Sequence, residues 1–405
     1  MSRRAAIGLL CAAWLSIAGA LSAQAAGDLP DLQVVQNQFR DASGKQVHLM
    51  GVNRAGSEYA CIQGWGIFDG PSDDHSVAAI AGWGANAVRL GLNEDCWLGI
   101  NRSPEQYSGG AYRTAITDYV QRLHQHGLYA VLALMWAAPG TNQATWQEAM
   151  ADEDHAYAFW SSVATTFRGD SRTLFDLYGE PSWISWTCWV DGCTYSDKYG
   201  DWRTAGMQKM VDTVRQAGAH NVILVSGADY ANDLANWLAY APKDPDHQLA
   251  AAFHEYGDNT CHDQACWDAS IREVAMRVPV VTAELGETVG GSSCGHTFLD
   301  SYLAYAHSNG LSYLAWTWDT WNRCSTLIQD YDGTPTAFGA AVRDDLSSGH
   351  SFGSLPYDVS KPSRPLFEIQ HERSFVLMVG ALAVVLVTLI IFVGRTRTRR
   401  KGDAF

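Results

Sequence analysis

Thr173-Leu-Phe-Asp-Leu-Tyr-Gly-Glu-Pro181 is an apolar run that ends in a carboxylate and is stopped by a proline. Proline has no amide hydrogen to give a ladder, so the run predicts a buried strand that presents Glu180 at its end. Further along, Val278-Pro-Val-Val-Thr-Ala-Glu-Leu-Gly286 repeats the design, with β-branched residues, then Glu284, then a glycine. Two strand-end glutamates predict an acid and a nucleophile.

Working outward, the same kind of run recurs at Val47–Val52, Ala87–Leu90, Tyr129–Leu134, Val222–Ser226, Leu249–Phe253 and Ser312–Trp316. Between the runs, Tyr112–His126, Tyr157–Phe167, Thr204–Ala217, Asp268–Arg277 and Phe298–His307 carry apolar residues at three- and four-residue spacing, the mark of amphipathic helices. Short buried runs alternating with helices predict a parallel sheet, and eight such units over residues 26–346 match a closed (β/α)8 barrel in a single domain. An open doubly wound sheet is the alternative. No Gly-rich phosphate fingerprint follows the first run, which weakens it.

Active sites of a (β/α)8 barrel lie at the C-terminal ends of its strands. There the sequence sets Asn53, Arg54, Arg89, Trp136, Glu180, His254, Tyr256, Glu284, Trp316 and Trp318. Glu287 is a rival for the nucleophile, Arg89 could instead pair with Glu94 or Asp95, and Asp176 shares strand parity with Glu180. Trp183, Trp186, Trp189 and Trp321 are further candidates for lining a cleft.

Composition narrows the partners. A formal net charge of -15 argues against nucleic acid, which needs a basic face. Sixteen Trp and seventeen Tyr supply flat faces suited to sugar rings, so a neutral carbohydrate is the expected partner. The chain is expected to be a monomer. No metal or organic cofactor is implied.

The termini read as addresses. Arg3 and Arg4 precede the apolar run Ala5–Leu21, and Ala23-Gln-Ala25 supplies small residues for cleavage, so residues 1–25 are read as a signal peptide. Ser374–Gly394 is uncharged and long enough to span a bilayer, and the Arg/Lys cluster of the 395–405 tail follows it. This predicts a transmembrane helix with a basic cytoplasmic tail, a linker over 347–373, and everything before the helix outside the cell. The eight cysteines after the signal then point to disulfides. Zinc is a rival at the two close pairs. Pairing of near neighbours gives Cys188–Cys193 and Cys261–Cys266, leaving Cys61–Cys96 and Cys294–Cys324, although sequence alone does not fix the connectivity.

Met50-Gly-Val-Asn53, Ala85-Asn-Ala-Val-Arg-Leu90, Phe175-Asp-Leu-Tyr-Gly-Glu-Pro181, Phe253-His-Glu-Tyr256, Pro279-Val-Val-Thr-Ala-Glu-Leu-Gly286 and Tyr313-Leu-Ala-Trp-Thr-Trp318 together resemble glycoside hydrolase family 5, the cellulase family, and within it secreted actinobacterial members. The resemblance runs from about residue 33 to 346 and implies a retaining glycosidase acting by double displacement. It implies Glu180 as acid/base and Glu284 as nucleophile. It also implies Arg89 and Tyr256 as partners of the nucleophile, His254 as a contact of the sugar or the carboxylate pair, Trp316 as the aromatic platform, and Asn53 as a pocket residue. Two positions depart from the pattern. Gly179 stands where the family has an asparagine that binds the sugar 2-hydroxyl, and Met135 falls within Ala133-Leu-Met-Trp136, where the family has Asp-X-His-Trp. The expected activity is therefore endo-β-1,4-glucanase-like. An exo-glycosidase on another sugar (a furanoside or mannoside) and a non-catalytic carbohydrate-binding or sensing ectodomain are the alternatives.

Overall fold

The computed structural model describes residues 29–289, 294–321 and 324–358. The stretches read as signal peptide, membrane helix and basic tail, and the part of the expected linker beyond residue 358, lie outside the described residues. Among the described residues no helix is long and apolar enough to cross a membrane.

Eight strands form the centre: β1 Met50–Arg54, β2 Ala87–Asn93, β3 Tyr129–Trp136, β4 Thr173–Asp176, β5 Ile223–Ser226, β6 Leu249–Tyr256, β7 Val280–Gly286 and β8 Ser312–Ala315. All neighbours are parallel, and the barrel closes in the order β5-β6-β7-β8-β1-β2-β3-β4. The fold is the (β/α)8 barrel. Every residue of β2, β6 and β7 is buried, which is why these strands read as continuous apolar runs rather than alternating ones. Gly51 is required by this packing, since a Cβ there would lie 1.8 Å from the Ala87 carbonyl oxygen on β2.

Helices cover the outside. The helix Ala156–Phe167 buries Ala156, Phe159, Trp160, Val163, Ala164 and Phe167, a single apolar stripe, and Trp160 Nε1 donates to the Leu177 carbonyl at 3.0 Å. Truncating such a fully buried Trp typically costs about 3–5 kcal/mol. Inside the barrel, Val131, Leu174, Leu224, Ala250, Val281 and Leu314 pack as one cluster with Leu32, Val34 and Phe39. Those last three come from a small antiparallel sheet, Leu32–Val35, Gln38–Asp41 and Gln46–Val47, that closes the barrel's N-terminal end.

Several element boundaries differ from the sequence reading. The run Val47–Val52 is divided, because Val47 ends the small sheet and β1 begins at Met50. The strand expected over Thr173–Tyr178 stops at Asp176, so Glu180 sits on the turn beyond it, where Gly179 N donates to the Leu134 carbonyl at 3.0 Å. The helix expected from Thr204 starts at Met207, because Gly200–Arg203 pairs with Thr194–Asp197 in an antiparallel hairpin. The stretch read as linker from residue 347 lies against the barrel as far as 358. Phe352 stacks on His48 at 3.9 Å, Leu355 is buried, and Asp358 N donates to the Met276 carbonyl.

All four expected disulfides are formed: Cys61–Cys96, Cys188–Cys193, Cys261–Cys266 and Cys294–Cys324. Each lies in loops that follow barrel strands, at the end where the strand-end polar residues converge.

Candidate active site

The site is built on a buried arginine. Arg89, on β2, points inward among residues from four other strands. Its Nε donates to Asp176 Oδ2 at 2.8 Å, and its Nη1 to Glu284 Oε1 at 2.7 Å and to Asn53 Oδ1 at 2.9 Å. Asp176 also accepts from Ser226 Oγ at 3.2 Å. Burial works against the arginine's charge, but the two carboxylates hold it charged and raise its pKa further. Neither Glu94 nor Asp95 is its partner.

Glu284 is the most heavily supported carboxylate. Its second oxygen, Oε2, accepts from Tyr256 Oη at 2.8 Å and lies 3.6 Å from His254 Nδ1. A register shift after Phe253 sets His254 opposite Glu284 across the β6–β7 pair, and the alternation of β6 returns Tyr256 to the same face. Burial alone would push Glu284 up. The charges of His254 and Arg89, and the hydrogen bonds from Arg89 and Tyr256, outweigh burial and hold it below the usual glutamate value. The Tyr256 phenol moves the other way, raised well above its ordinary value by burial and by the two glutamates, so it stays a donor.

Glu180 is held differently. Its side chain keeps 23% exposure, Oε1 faces His254 Nδ1 at 2.9 Å, and Oε2 accepts from Gln147 Nε2 at 2.8 Å. One oxygen of Glu180, one of Glu284 and a nitrogen of His254 all lie within 4.8 Å of one another. A retaining pair needs its carboxyl groups about 5–5.5 Å apart, against ~6.5–9.5 Å when a water must fit between them.

Other expected residues fall in different places. Asn53 is no pocket residue: its Nδ2 donates to the Ala283 and Leu314 carbonyls and its oxygen is held by Arg89, so it braces the arginine. Trp318 is fully buried and packs edge-on against Trp83 at 4.7 Å, which removes it from the cleft. Trp186 and Trp189 are also core residues. Glu287 accepts from the amides of Phe298 and Leu299 at the start of the helix Thr297–Asn309, a capping role. Arg54 is buried with Asp319, 3.7 Å away. Trp136 and Trp316 remain half-buried beside the site. Trp136 lies 6.0 Å from the Tyr59 ring and Trp316 6.4 Å from Trp321.

Tyr59, which no sequence pattern marks, gathers Trp65, Trp136 and Trp321 around its ring, and Trp321 Nε1 donates to its hydroxyl at 3.0 Å. On the other side of Glu180, exposed Trp183 donates to the hydroxyl of exposed Tyr230 at 2.6 Å, and Tyr230 N donates to the Pro181 carbonyl. Two aromatic groups are thus formed by loops at this end of the barrel.

Residues 40–322 match the model of the family described as Cellulase (glycosyl hydrolase family 5). The chain belongs to glycosyl hydrolase family 5. Among its relatives, an endoglucanase of Neurospora crassa is 26% identical over 62% of this family 5 chain and 63% of its own length. A mannan endo-1,4-beta-mannosidase of Streptomyces lividans is 24% identical over 78% of this chain and 72% of its own. The fold is shared with a beta-glucanase of Saccharophagus degradans (TM-score 0.61, 19% identity, 80% of this chain and 94% of that one). It is shared too with the catalytic domain of Thermobifida fusca endoglucanase Cel5A (TM-score 0.57, 20% identity, 78% of this chain and 97% of that one).

Proposed function

We propose that this chain is a retaining glycoside hydrolase that cleaves O-glycosidic bonds in poly- or oligosaccharides by double displacement, with endo-β-1,4-glucanase-like action as the default. The observation that carries the reading is the pair Glu180 and Glu284, with oxygens within 4.8 Å and opposite support. Glu284 is enclosed by cationic and hydroxyl donors that keep it an anion, and attacks the anomeric carbon. Glu180, closer to solvent, gives its proton to the leaving oxygen as that bond breaks, leaving a glycosyl ester on Glu284. The Glu180 carboxylate then takes a proton from water, whose oxygen displaces Glu284 from the sugar. Tyr256 and Arg89 orient the nucleophile, His254 spans both carboxylates, and Trp316 and Trp136 flank the sugar.

A second reading, an exo-glycosidase on a sugar other than glucose, is favoured by one observation. Met135 Sδ would lie 2.6 Å from a Cβ at Gly179, so a thioether fills the space beside Glu180 where a polar side chain would reach the sugar. The names of the relatives, an endoglucanase and a mannosidase, leave the sugar open in the same way.

We also propose export and anchoring by the apolar run at 374–394. Four disulfides suit an oxidising compartment, which supports the domain's place outside the cell.

The test is hydrolysis of a panel of aryl glycosides and polysaccharides by the intact chain, beside Glu180→Gln and Glu284→Gln. Turnover of a panel member that is lost in both variants supports the glycosidase and names its sugar. Glycan binding without turnover or covalent trapping by a mechanism-based inhibitor would instead support a sensing ectodomain.

A further inference from the structure

Beside the catalytic mouth lies a second group of acids that the proposed reaction does not use. Glu94 opens the helix Glu94–Leu98 after β2, and its side chain is fully buried. Its Oε1 accepts from Ala138 N at 2.8 Å, while Oε2 is buried with no hydrogen-bond partner. Asp152 lies in the long loop after β3 and is equally buried. Its Oδ1 accepts from His155 N at 2.9 Å, and its Oδ2 is also buried without a partner. His155 Nδ1 is 3.0 Å from Asp152 Oδ1 and 3.8 Å from Glu94 Oε1, yet makes no aligned hydrogen bond to either. One donor atom from each of the three residues falls within a 4.8 Å group. Among the described residues no lysine or arginine pairs with Glu94, Asp152 or the adjacent Asp95.

Two carboxyls buried this close either share a proton, as the side-chain contact between Glu94 and Asp152 allows, or need a compensating positive charge to stay ionised. Among the described residues His155 is the one basic side chain that pairs with them, and it faces both acids through a single nitrogen. We propose that Glu94, Asp152 and His155 bind one divalent cation, with zinc as the best match. A divalent ion would neutralise both carboxylates and take one donor atom from each of the three residues. An imidazole nitrogen among the donors selects a first-row metal over calcium or magnesium, which prefer all-oxygen sets.

The site ties the loop after β2 to the loop spanning residues 137–155. That second loop carries Gln147, which donates to Glu180 Oε2, and exposed Trp146. The cation is therefore structural, a fastening for the loop that steadies one carboxylate of the pair. Its existence does not depend on the glycosidase reading.

The test uses the intact chain, purified without a histidine tag, stripped with a chelator and titrated with Zn2+, Ca2+ or Mg2+ by calorimetry and by thermal unfolding. One equivalent of Zn2+ that raises the melting temperature is expected. That uptake should be lost in Glu94→Gln and in Asp152→Asn and weakened at least tenfold in His155→Ala. Unchanged circular dichroism of the stripped variants keeps a loss of binding distinct from a loss of fold. Three results would overturn the proposal. The first is no metal uptake together with Glu94→Gln as stable as wild type, which would mean that the two carboxyls share a proton. The second is calcium binding indifferent to His155→Ala. The third is zinc uptake that survives Glu94→Gln but disappears in His350→Ala, which would place the metal at the separate cluster of His307, Asp345 and His350.

Discussion

Met135 and Gly179 occupy one volume: a Cβ added at Gly179 would lie 2.6 Å from Met135 Sδ and 3.4 Å from Arg89 Nη2. The same Met135 side chain would lie 3.0 Å, through Cγ, from a Cβ at Gly91, so it rests across two glycines. Arg89 Nη2 in turn lies 3.4 Å from Met135 Sδ, a weak acceptor. The two departures from the family pattern are thus one coupled change, in which a thioether replaces a polar pair.

It follows that restoring asparagine at one position alone fails. Gly179→Asn is expected to cost about 1–3 kcal/mol of stability by overpacking, and to lower kcat/KM because Met135 must swing toward the sugar. Met135→Ala combined with Gly179→Asn should recover most of that loss. A double-mutant cycle by urea unfolding is the check, and strict additivity of the two changes would count against a shared volume.

Arg89 compensates Asp176 and Glu284 together, so its removal leaves two buried carboxylates with one cationic neighbour fewer. Arg89→Met should cost about 3–5 kcal/mol and abolish turnover. Adding Asp176→Asn should return part of the stability but none of the activity, because Glu284 stays unsupported. Denaturant titration of the single and double variants separates the two effects.

Tyr256→Phe removes a single hydrogen bond, from Oη to Glu284 Oε2. Glu284 sits below its ordinary value in the folded chain, so its contribution to stability is present above the unfolded pKa and is lost as the pH falls through the folded one. Losing the tyrosine donor moves that folded pKa upward. The acid limb of the kcat/KM profile should therefore shift to higher pH in Tyr256→Phe, with the alkaline limb unmoved. An unmoved acid limb would show that Arg89 and His254 alone set the ionisation of Glu284.

The parts of this arrangement that were legible in the sequence are those on regular strands. Arg89, His254, Tyr256 and Glu284 lie within β2, β6 and β7, where buried runs mark the strand and the strand's end marks the site. Trp318 misled because β8 stops at Ala315, so strand alternation no longer governs which way Trp316 and Trp318 point. Tyr59, Gln147 and Tyr230 were invisible for a related reason. They sit in loops without periodicity, and only the folded chain brings them to Trp321, Glu180 and Trp183. The sheet at Leu32–Val47 was missed because its strands are short and its apolar residues are few, so it has no face until the barrel supplies one.

Glu255 lies between His254 and Tyr256 on β6 but takes its partner from outside the site. Asn232 Nδ2 donates to its Oε2 at 3.2 Å and Trp267 also favours the charged form, but burial outweighs both and pushes the carboxyl up to about 9. A carboxyl raised on folding contributes fully below its unfolded pKa. That contribution is lost as the pH climbs toward the folded value, because the unfolded chain releases the proton first. Wild-type stability should therefore fall from this group as the pH rises above about 5 toward the folded value. Glu255→Gln keeps the shape of the protonated acid and cannot ionise. Its unfolding free energy should match wild type near pH 4.5 and exceed it increasingly as the pH rises, as urea titrations at pH 4.5, 6 and 8 would show. Parallel pH profiles for the two proteins would mean that Glu255 is ionised in the folded chain, with its charge met by a group other than Asn232.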